Sequence, residues 1–219
     1  MKRGCFITLE GGDGSGKSSQ IAALKSRLTE TGKNVITTRE PGGSAGAEEI
    51  RRLLLNGDTN RWLPMTEVLL LYAARYDHVE RLIKPELAKG SWVISDRFAD
   101  SSMAYQGYGF GLGEAAIMHI QKAALADFEP DLTLILDLPI ELGLKRAGVR
   151  IEESSCSEDR YERMGLDFHE KQREGYLAIA KNNPNRCKII DASGTVDEVA
   201  KLIWQVVNTS LDVDAQLDD

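Results

Sequence analysis

The sequence contains few of the residues that build metal-binding, disulfide-linked or membrane-spanning proteins. Its 219 residues include three cysteines and three histidines, scattered along the chain without a C-x-x-C pair or a Cys/His cluster. We therefore expect free thiols and no metal held by cysteine or histidine. No apolar run approaches the ~20 residues of a membrane-spanning helix, so no membrane contact is expected.

The chain also lacks an excess of basic residues. It has 27 Lys and Arg against 34 Asp and Glu, a formal net charge of −7, which argues against binding of a nucleic-acid polymer. Any phosphate site must therefore come from locally clustered Arg and Lys. The first four residues lead directly into an apolar run, which leaves no room for a signal peptide and favours a cytoplasmic location.

A phosphate-binding loop is present instead. Residues 11–18 read GGDGSGKS, a full G-x-x-x-x-G-K-[ST] motif; they follow the apolar run 5–9 and precede a helical pattern with Ile21, Leu24 and Leu28. A strand that delivers the loop and a helix that leaves it are what phosphate binding requires, because backbone N–H groups at the helix N-terminus wrap the phosphates. A bare glycine-rich turn is the alternative.

This motif predicts the ATP-binding residues. Lys17 is expected to reach the β- and γ-phosphates, and the Ser18 hydroxyl is expected to bind Mg²⁺. The complete predicted set is Gly11, Gly12, Asp13, Gly14, Ser15, Gly16, Lys17, Ser18 and Ser19.

Apolar runs alternate with helical patterns, which predicts an α/β fold with a five-stranded parallel sheet and helices on both faces. The predicted strands cover residues 5–9, 35–38, 92–95, 132–138 and 188–191, and the clearest helices cover 64–88, 113–128 and 160–181. We expect a single domain over residues 1–210. A serine-rich segment at about 147–159 is predicted to be a flap, and the acidic residues 211–219 a solvated tail.

Charged residues follow the second and third predicted strands. Pro41 favours an extended backbone at Glu40, so Arg39 should project from the carboxyl edge of the sheet, where open α/β sheets bind ligands. Asp96 and Arg97 end the third strand at the same edge. Asp96 could hold a Mg²⁺-bound water, and the two arginines could grip a second phosphate group facing the triphosphate. A solvated turn and a surface ion pair are the simpler alternatives.

Two further segments could line a nucleoside site. Tyr72 and Arg75 are three residues apart and share a helix face, where they could stack on a base and bond its edge. A core tyrosine beside a surface arginine explains the same spacing. Ser101, Tyr105 and Gln106 lie just past the third strand, which by itself is a weak signal.

Taken together, the motifs resemble those of the bacterial thymidylate kinase family. The resemblance rests on FITLEGGDGSGKSS, TREPGG, LLLYAARYDHV, ISDRFADSSMAYQG, DLTLILDLP and DRYE, in that order over nearly the whole chain. It implies a fold like that of P-loop nucleoside-monophosphate kinases, phosphorylation of dTMP to dTDP with ATP and Mg²⁺, and a homodimer.

The resemblance also implies residue roles. Arg39 and Arg97 would hold the dTMP phosphate, Tyr72 would stack on thymine and Arg75 would bond the base. Asp13 would reach the sugar 3′-hydroxyl, with Glu10 near the metal and sugar. Tyr105 and Gln106 would line the nucleoside pocket, and the predicted substrate-binding set is Glu10, Asp13, Arg39, Pro41, Tyr72, Arg75, Arg97, Ser101, Tyr105 and Gln106.

The catalytic arginine is expected in the flap, the lid of this family. Some members carry it within the phosphate loop, but position 14 here is glycine. Alignment from LKRA favours Arg150, with Arg160 and Arg146 as competitors. Lys17 and Arg97 complete the predicted catalytic set.

Three other readings remain open at the sequence level. A related nucleoside or nucleotide kinase would share the phosphate loop and the Asp96–Arg97 pair. A GTPase-like switch would need an Asn-Lys-x-Asp segment, and the sequence has none. A silent binding protein would need a damaged acceptor site, whereas the residues named above are intact.

Overall fold

The computed structural model describes residues 3–153, 160–161 and 163–213, except for the side chains of 149–153. Five strands form one parallel sheet in the order β2-β3-β1-β4-β5, which confirms the predicted fold class. The strands are β1 (Phe6–Glu10), β2 (Val35–Arg39), β3 (Trp92–Asp96), β4 (Leu132–Asp137) and β5 (Cys187–Asp191).

Helices cover both faces of this sheet. In chain order they are α1 (Lys17–Glu30), α2 (Ala45–Leu55), α3 (Pro64–His78), α4 (Lys84–Ala88), α5 (Ala99–Ser102), α6 (Glu114–Leu125), α7 (Ile140–Glu153), α8 (Leu166–Asn182) and α9 (Val196–Leu211). Two π-helical segments, Val79–Ile83 and Met103–Gly109, complete the helical elements of the described residues.

The central strand β1 is buried along its whole length, as expected for a parallel strand covered on both faces. On one face its apolar side chains join a core with α1 and α9 that includes Leu28 and Ile203. On the other face Phe6 joins a core with α3 and α6, where its ring centroid lies 5.0 Å from that of Phe98. Burial from both sides fixes the position of the strand that carries the phosphate loop.

The strand register brings the predicted charged residues to one edge of the sheet. Leu9 of β1 pairs with Asp96 of β3, and Asp96 pairs in turn with Arg39 of β2. Glu10 therefore ends its strand beside Asp96, and Arg39 ends the neighbouring strand. The carboxyl ends of the three strands form the floor of the candidate site.

The predicted long helix 64–88 is confirmed as one continuous helical path. It runs through α3, the π-helical segment Val79–Ile83 and α4. Pro85 follows the π-helical segment, in the first turn of α4, and does not break the path. The predicted helix 113–128 is shorter by a few residues: α6 ends at Leu125 because Ala126 has a φ of 53°.

The prediction of a helix from residue 160 is wrong at its start. The helix α8 begins at Leu166, after an extended Gly165. Residues 160, 161 and 163 form turns before it, and the buried Arg160 donates hydrogen bonds to backbone carbonyls of the segment before α3. These hydrogen bonds hold the Arg160 side chain against that segment, which competes with the formation of a regular helix at this position.

The predicted flap and tail are only partly described. Residues 147–153 continue α7, and the Ala147 side chain is buried, so this part of the predicted flap is regular helix. Residues 154–159 lie outside the described residues. At the other end, Leu211 closes α9 and Val213 is fully buried, and the predicted tail beyond 213 also lies outside the described residues. No described helix is long and apolar enough to cross a membrane.

Candidate active site

The phosphate-binding loop connects β1 to α1, as the sequence predicts. It needs glycine at positions with positive φ: 133° at Gly11, 72° at Gly14 and 89° at Gly16. Gly11 and Gly14 also lie against other backbone. A Cβ on Gly11 would be 2.4 Å from the Leu136 carbonyl oxygen, and one on Gly14 would be 2.0 Å from that of Gly143. The loop is therefore clamped between β4 and α7.

Lys17 points back into this loop. Its Nζ donates to the carbonyl oxygens of Gly12, at 2.9 Å, and Gly11, at 3.1 Å, and lies 3.4 Å from Ser15 Oγ. Burial, with a smaller contribution from nearby Arg97, lowers the pKa of Lys17 to about 8. A cation whose direct partners are neutral, at the N-terminus of a helix, suits a phosphate group.

The two predicted metal ligands meet at the sheet edge. Ser18 Oγ lies 3.5 Å from Asp96 Oδ2, and the buried Asp96 Oδ1 has no hydrogen-bond partner among the described residues. An unpaired carboxylate oxygen beside a hydroxyl fits Mg²⁺ or its bound water. The described residues form no cluster of three or more His, Cys, Asp or Glu. Ser19 follows in the exposed first turn of α1.

Arg97 joins the phosphate loop to the end of β3. Its Nη2 donates to Asp13 Oδ1 at 2.7 Å and its Nη1 to the Gly11 carbonyl oxygen at 3.1 Å. The φ of Arg97 is 70°, a left-handed conformation that is unusual for arginine and often found at functional sites. The guanidinium lies over the Tyr105 ring at 5.0 Å, and Tyr105 OH donates to Asp13 Oδ2 at 3.4 Å.

Arg39 lies at the same edge in a more open position. Its side chain is 51% exposed and pairs with Glu48 at 3.1 Å. An exposed pair of this kind contributes little to stability, so Arg39 can exchange Glu48 for a phosphate at small cost. The adjoining Pro41 carbonyl accepts a hydrogen bond from Arg51 at 2.8 Å.

Tyr72 and Arg75 share one face of α3, and both are buried. The Arg75 guanidinium lies 4.5 Å from the Tyr72 ring centroid, and Tyr72 OH donates to Gln121 Oε1 at 3.2 Å. Arg75 donates to Glu40 at 2.6 Å, and to Ser102 Oγ and the Phe98 carbonyl oxygen at 3.0 Å each. The shared face is confirmed, and the roles of both residues toward a base remain predictions.

Sequence reasoning missed the carboxylate that orients Arg75. Glu40 is buried, with one oxygen bound to Arg75 and the other 3.1 Å from His78 Nδ1. His78 Nε2 lies 2.7 Å from Thr38 Oγ1, so His78 links Glu40 to β2. Glu40 is part of the TREPGG motif, but the motif alone does not predict which helix supplies the partner of the Glu40 carboxylate.

Glu10 lies beneath the site rather than in its opening. The fully buried carboxylate accepts hydrogen bonds from Phe98 N at 2.7 Å, Ser101 Oγ at 2.6 Å and Tyr176 OH at 3.1 Å. Burial, reinforced by the negative charge of Asp100, raises its pKa to about 7. Glu10 therefore supports the residues above it, and Tyr176 is a second residue that the sequence did not reveal.

Arg160 is the clearest departure from the sequence-based expectations. Only 1% of its side chain is exposed, and it pairs with the fully buried Glu67 at 2.5 Å. It also donates to the carbonyl oxygens of Asp58 and Thr59. Gln106 donates to the other Glu67 oxygen at 2.7 Å. These contacts anchor the chain before α8 and hold the Arg160 side chain away from the phosphate loop.

The other two lid arginines differ from Arg160. Arg146 donates to the carbonyl oxygens of Ala192, at 2.9 Å, and Ser193, at 3.1 Å, which holds it beside the end of β5. The backbone of Arg150 belongs to α7, and its side chain lies outside what the structure describes.

Comparisons with known proteins agree with this geometry. The thymidylate kinase family model matches residues 9–203. The thymidylate kinase of Caulobacter vibrioides is 52% identical over 207 residues, covering 94% of this chain and 97% of that protein. That of Jannaschia sp. is 50% identical over 206 residues, covering 94% and 97%. A crystal structure of thymidylate kinase from Ehrlichia chaffeensis matches with a TM-score of 0.74 and 33% identity, covering 94% of this chain and 99% of that one.

Proposed function

Because this chain belongs to the thymidylate kinase family and is therefore an enzyme that phosphorylates dTMP, we propose that it transfers the γ-phosphoryl group of ATP directly to the dTMP phosphate. The observation that carries this mechanism is the contact of Arg97 with Asp13 and Gly11. It supports the proposal because the arginine that would hold the acceptor phosphate lies against the loop that would hold the donor. Two phosphate groups so placed can react in line, without a covalent enzyme intermediate.

The donor half is built from the phosphate loop. Its backbone N–H groups and Lys17 bind the triphosphate, and Lys17 exchanges its bonds to loop carbonyls for bonds to phosphate oxygens. Ser18 and Asp96 are the residues that would hold Mg²⁺ or its water. The metal supplies charge neutralisation to the phosphates when it is bound.

The acceptor half is built around Arg97 and Arg39. Each guanidinium can bind phosphate oxygens in bidentate fashion, which lysine cannot do. Asp13, held by Arg97 and Tyr105, would accept a hydrogen bond from the sugar hydroxyl. Tyr72 and Arg75 would meet the base, and Ser101, Tyr105 and Gln106 would support the nucleoside from below.

Arg150 is the lid arginine that we assign to the transition state. Its competitor Arg146 is held beside the end of β5, and Arg160 is buried against Glu67. We expect Arg150→Ala to lower kcat more than tenfold, a loss of over about 1.4 kcal/mol of transition-state stabilisation, with unchanged unfolding by urea. Arg160→Ala should instead leave Glu67 as an unpaired buried charge and destabilise the fold by about 3–5 kcal/mol.

Both lid variants are compared with Lys145→Ala, an exposed cation on α7 that should behave as wild type. The assignment is wrong if Arg150→Ala keeps its kcat within tenfold. A stable Arg160→Ala with a tenfold lower kcat would move the catalytic role to Arg160.

The choice of dTMP over other acceptors is tested by steady-state ADP production. ATP and Mg²⁺ are supplied with dTMP, dUMP, dCMP, dGMP, AMP or no acceptor in parallel. We expect strong preference for dTMP and little hydrolysis without acceptor, since a closed lid excludes water. Turnover with another nucleotide alone would favour the alternative of a related kinase with a different acceptor.

We also propose a homodimer that forms through the exposed apolar stripe of α3. Met65 is 40% exposed, Leu69 55% and Tyr76 52%, and Met118 of the neighbouring α6 is 59% exposed. A stripe of this kind on a helix is typical of a protein interface. Sedimentation equilibrium distinguishes this dimer from a 24.2 kDa monomer, and Leu69→Lys should shift the protein toward monomer. A monomeric wild-type protein would contradict the proposal.

A further inference from the structure

A tyrosine of α8 meets Arg97 from below. Tyr176 OH lies 3.2 Å from Arg97 Nη1, 2.9 Å from Ser101 Oγ and 3.1 Å from Glu10 Oε2. We propose that Tyr176 is a positioning residue for the acceptor phosphate: its hydroxyl fixes the orientation in which Arg97 presents its remaining donors. This inference rests on the proposed role of Arg97 toward dTMP.

The surroundings of the Tyr176 ring indicate that the hydroxyl, and not only the ring, is needed at this position. Only 3% of Tyr176 is exposed, and its ring packs in a core cluster with Tyr105 and Phe168. Phenylalanine would fill this space equally well. A buried hydroxyl requires hydrogen-bond partners, and here it meets residues from β1, from the turn after β3 and from α5. The Tyr176 hydroxyl therefore connects Glu10, at the end of β1, to Arg97.

The donors of Arg97 divide into two groups. Nη1 is held by Gly11, Ser101 and Tyr176, and one hydrogen of Nη2 by Asp13. An arginine carries five N–H donors in a rigid planar fork. Within the described part of the chain, Nε–H and the second hydrogen of Nη2 have no acceptor, and 17% of the side chain is exposed. Because the fork is planar, fixing Nη1 also fixes the direction of these remaining donors.

The Glu10 carboxyl group below the arginine adds to this arrangement. Tyr176 and Ser101 both contact Glu10 Oε2, and they stand between that buried carboxylate and Arg97 Nη1. Without the Tyr176 hydroxyl, Nη1 would lose one of its three acceptors and the guanidinium could rotate toward the remaining ones. The acceptor phosphate would then meet donors at the wrong angle, whereas the base contacts of Tyr72 and Arg75 on α3 would be unaffected.

The test is a comparison of thymidine with dTMP binding by calorimetry in Tyr176→Phe. Thymidine lacks the phosphate, so the ratio of the two dissociation constants isolates the contribution of the phosphate site. We expect the dTMP advantage to fall about tenfold, equivalent to about 1.4 kcal/mol, while thymidine affinity and the KM for ATP stay within twofold. The KM for dTMP should rise more than kcat falls.

The matched control is Tyr108→Phe. Tyr108 OH hydrogen-bonds the carboxylate of Glu114 at an exposed site, so this variant loses a hydroxyl–carboxylate contact away from Arg97 and should bind both ligands as wild type does. In an Arg97→Ala background, Tyr176→Phe should have no further effect on the dTMP advantage, because its action passes through Arg97.

The results separate three cases. Equal weakening of thymidine and dTMP would mean that Tyr176 only packs the core, and wild-type affinity for both ligands would remove its positioning role; either result overturns the inference. If the wild-type protein itself gains no affinity from the dTMP phosphate, the proposed acceptor site fails first.

Discussion

Replacement of Lys17 by methionine should lower kcat by about 10³-fold, the scale of losing a charged donor to a transferring phosphoryl group. The Lys17 ammonium points back into the loop, bound to the Gly11 and Gly12 carbonyl oxygens, where a γ-phosphate would be held. Methionine keeps the length and the apolar stem, so the fold should be retained. ADP production at saturating ATP and dTMP measures the loss.

Lys25→Met on the same helix is the matched control, because Lys25 is exposed on α1 and should keep its activity within twofold. A Lys17→Met enzyme that retained a tenth of wild-type kcat would remove Lys17 from the transition state.

The pH dependence of ATP binding follows from the same residue. Burial lowers the pKa of Lys17 to about 8, so the neutral amine accumulates as pH rises through 8. Wild-type affinity for ATP should therefore weaken above pH 8, since the amine must take up a proton to pair with phosphate. Lys17→Met should lose most of this dependence.

The residue placements that sequence predicts correctly are those set by local geometry. A phosphate loop needs its strand and its helix directly on either side. Asp96 and Arg39 end neighbouring parallel strands, whose carboxyl ends share one edge. Adjacent strands in such a sheet align their ends, so the motifs at those ends converge even though dozens of residues separate them.

The parts that sequence misses depend on which helix face meets which strand. Tyr176 and Glu10 are 166 positions apart, and Arg160 and Glu67 are 93 apart. No periodicity connects such pairs. Because Arg160 follows a polar, serine-rich segment, the sequence favours a lid arginine at this position. In the fold the Arg160 side chain is buried, where it donates to backbone carbonyls before α3 and pairs with the carboxylate of Glu67.

One such contact brings α7, the helix that leads into the predicted lid, directly against the phosphate loop. A Cβ on Gly14 would lie 2.0 Å from the Gly143 carbonyl oxygen, and one on Gly143 would lie 2.8 Å from that of Asp13. The two glycines thus permit backbone to pack on backbone. This contact also explains in steric terms why a side chain does not fit at position 14.

Gly14→Ala should therefore lower kcat/KM for both substrates by about 10²-fold, the cost of a shift of about 1 Å in a catalytic group. Gly32→Ala is the matched control, because Gly32 has a φ of 76°, close to the 72° of Gly14, but nothing lies within 4 Å of its added Cβ. Both variants carry the left-handed strain of about 1–2 kcal/mol, measurable as lower resistance to urea, and only Gly14→Ala also displaces α7. If the two variants lose equal activity, the loop does not depend on the contact between Gly14 and Gly143. If only Gly14→Ala loses activity, the packing of α7 on the loop aligns the predicted lid with the bound phosphates.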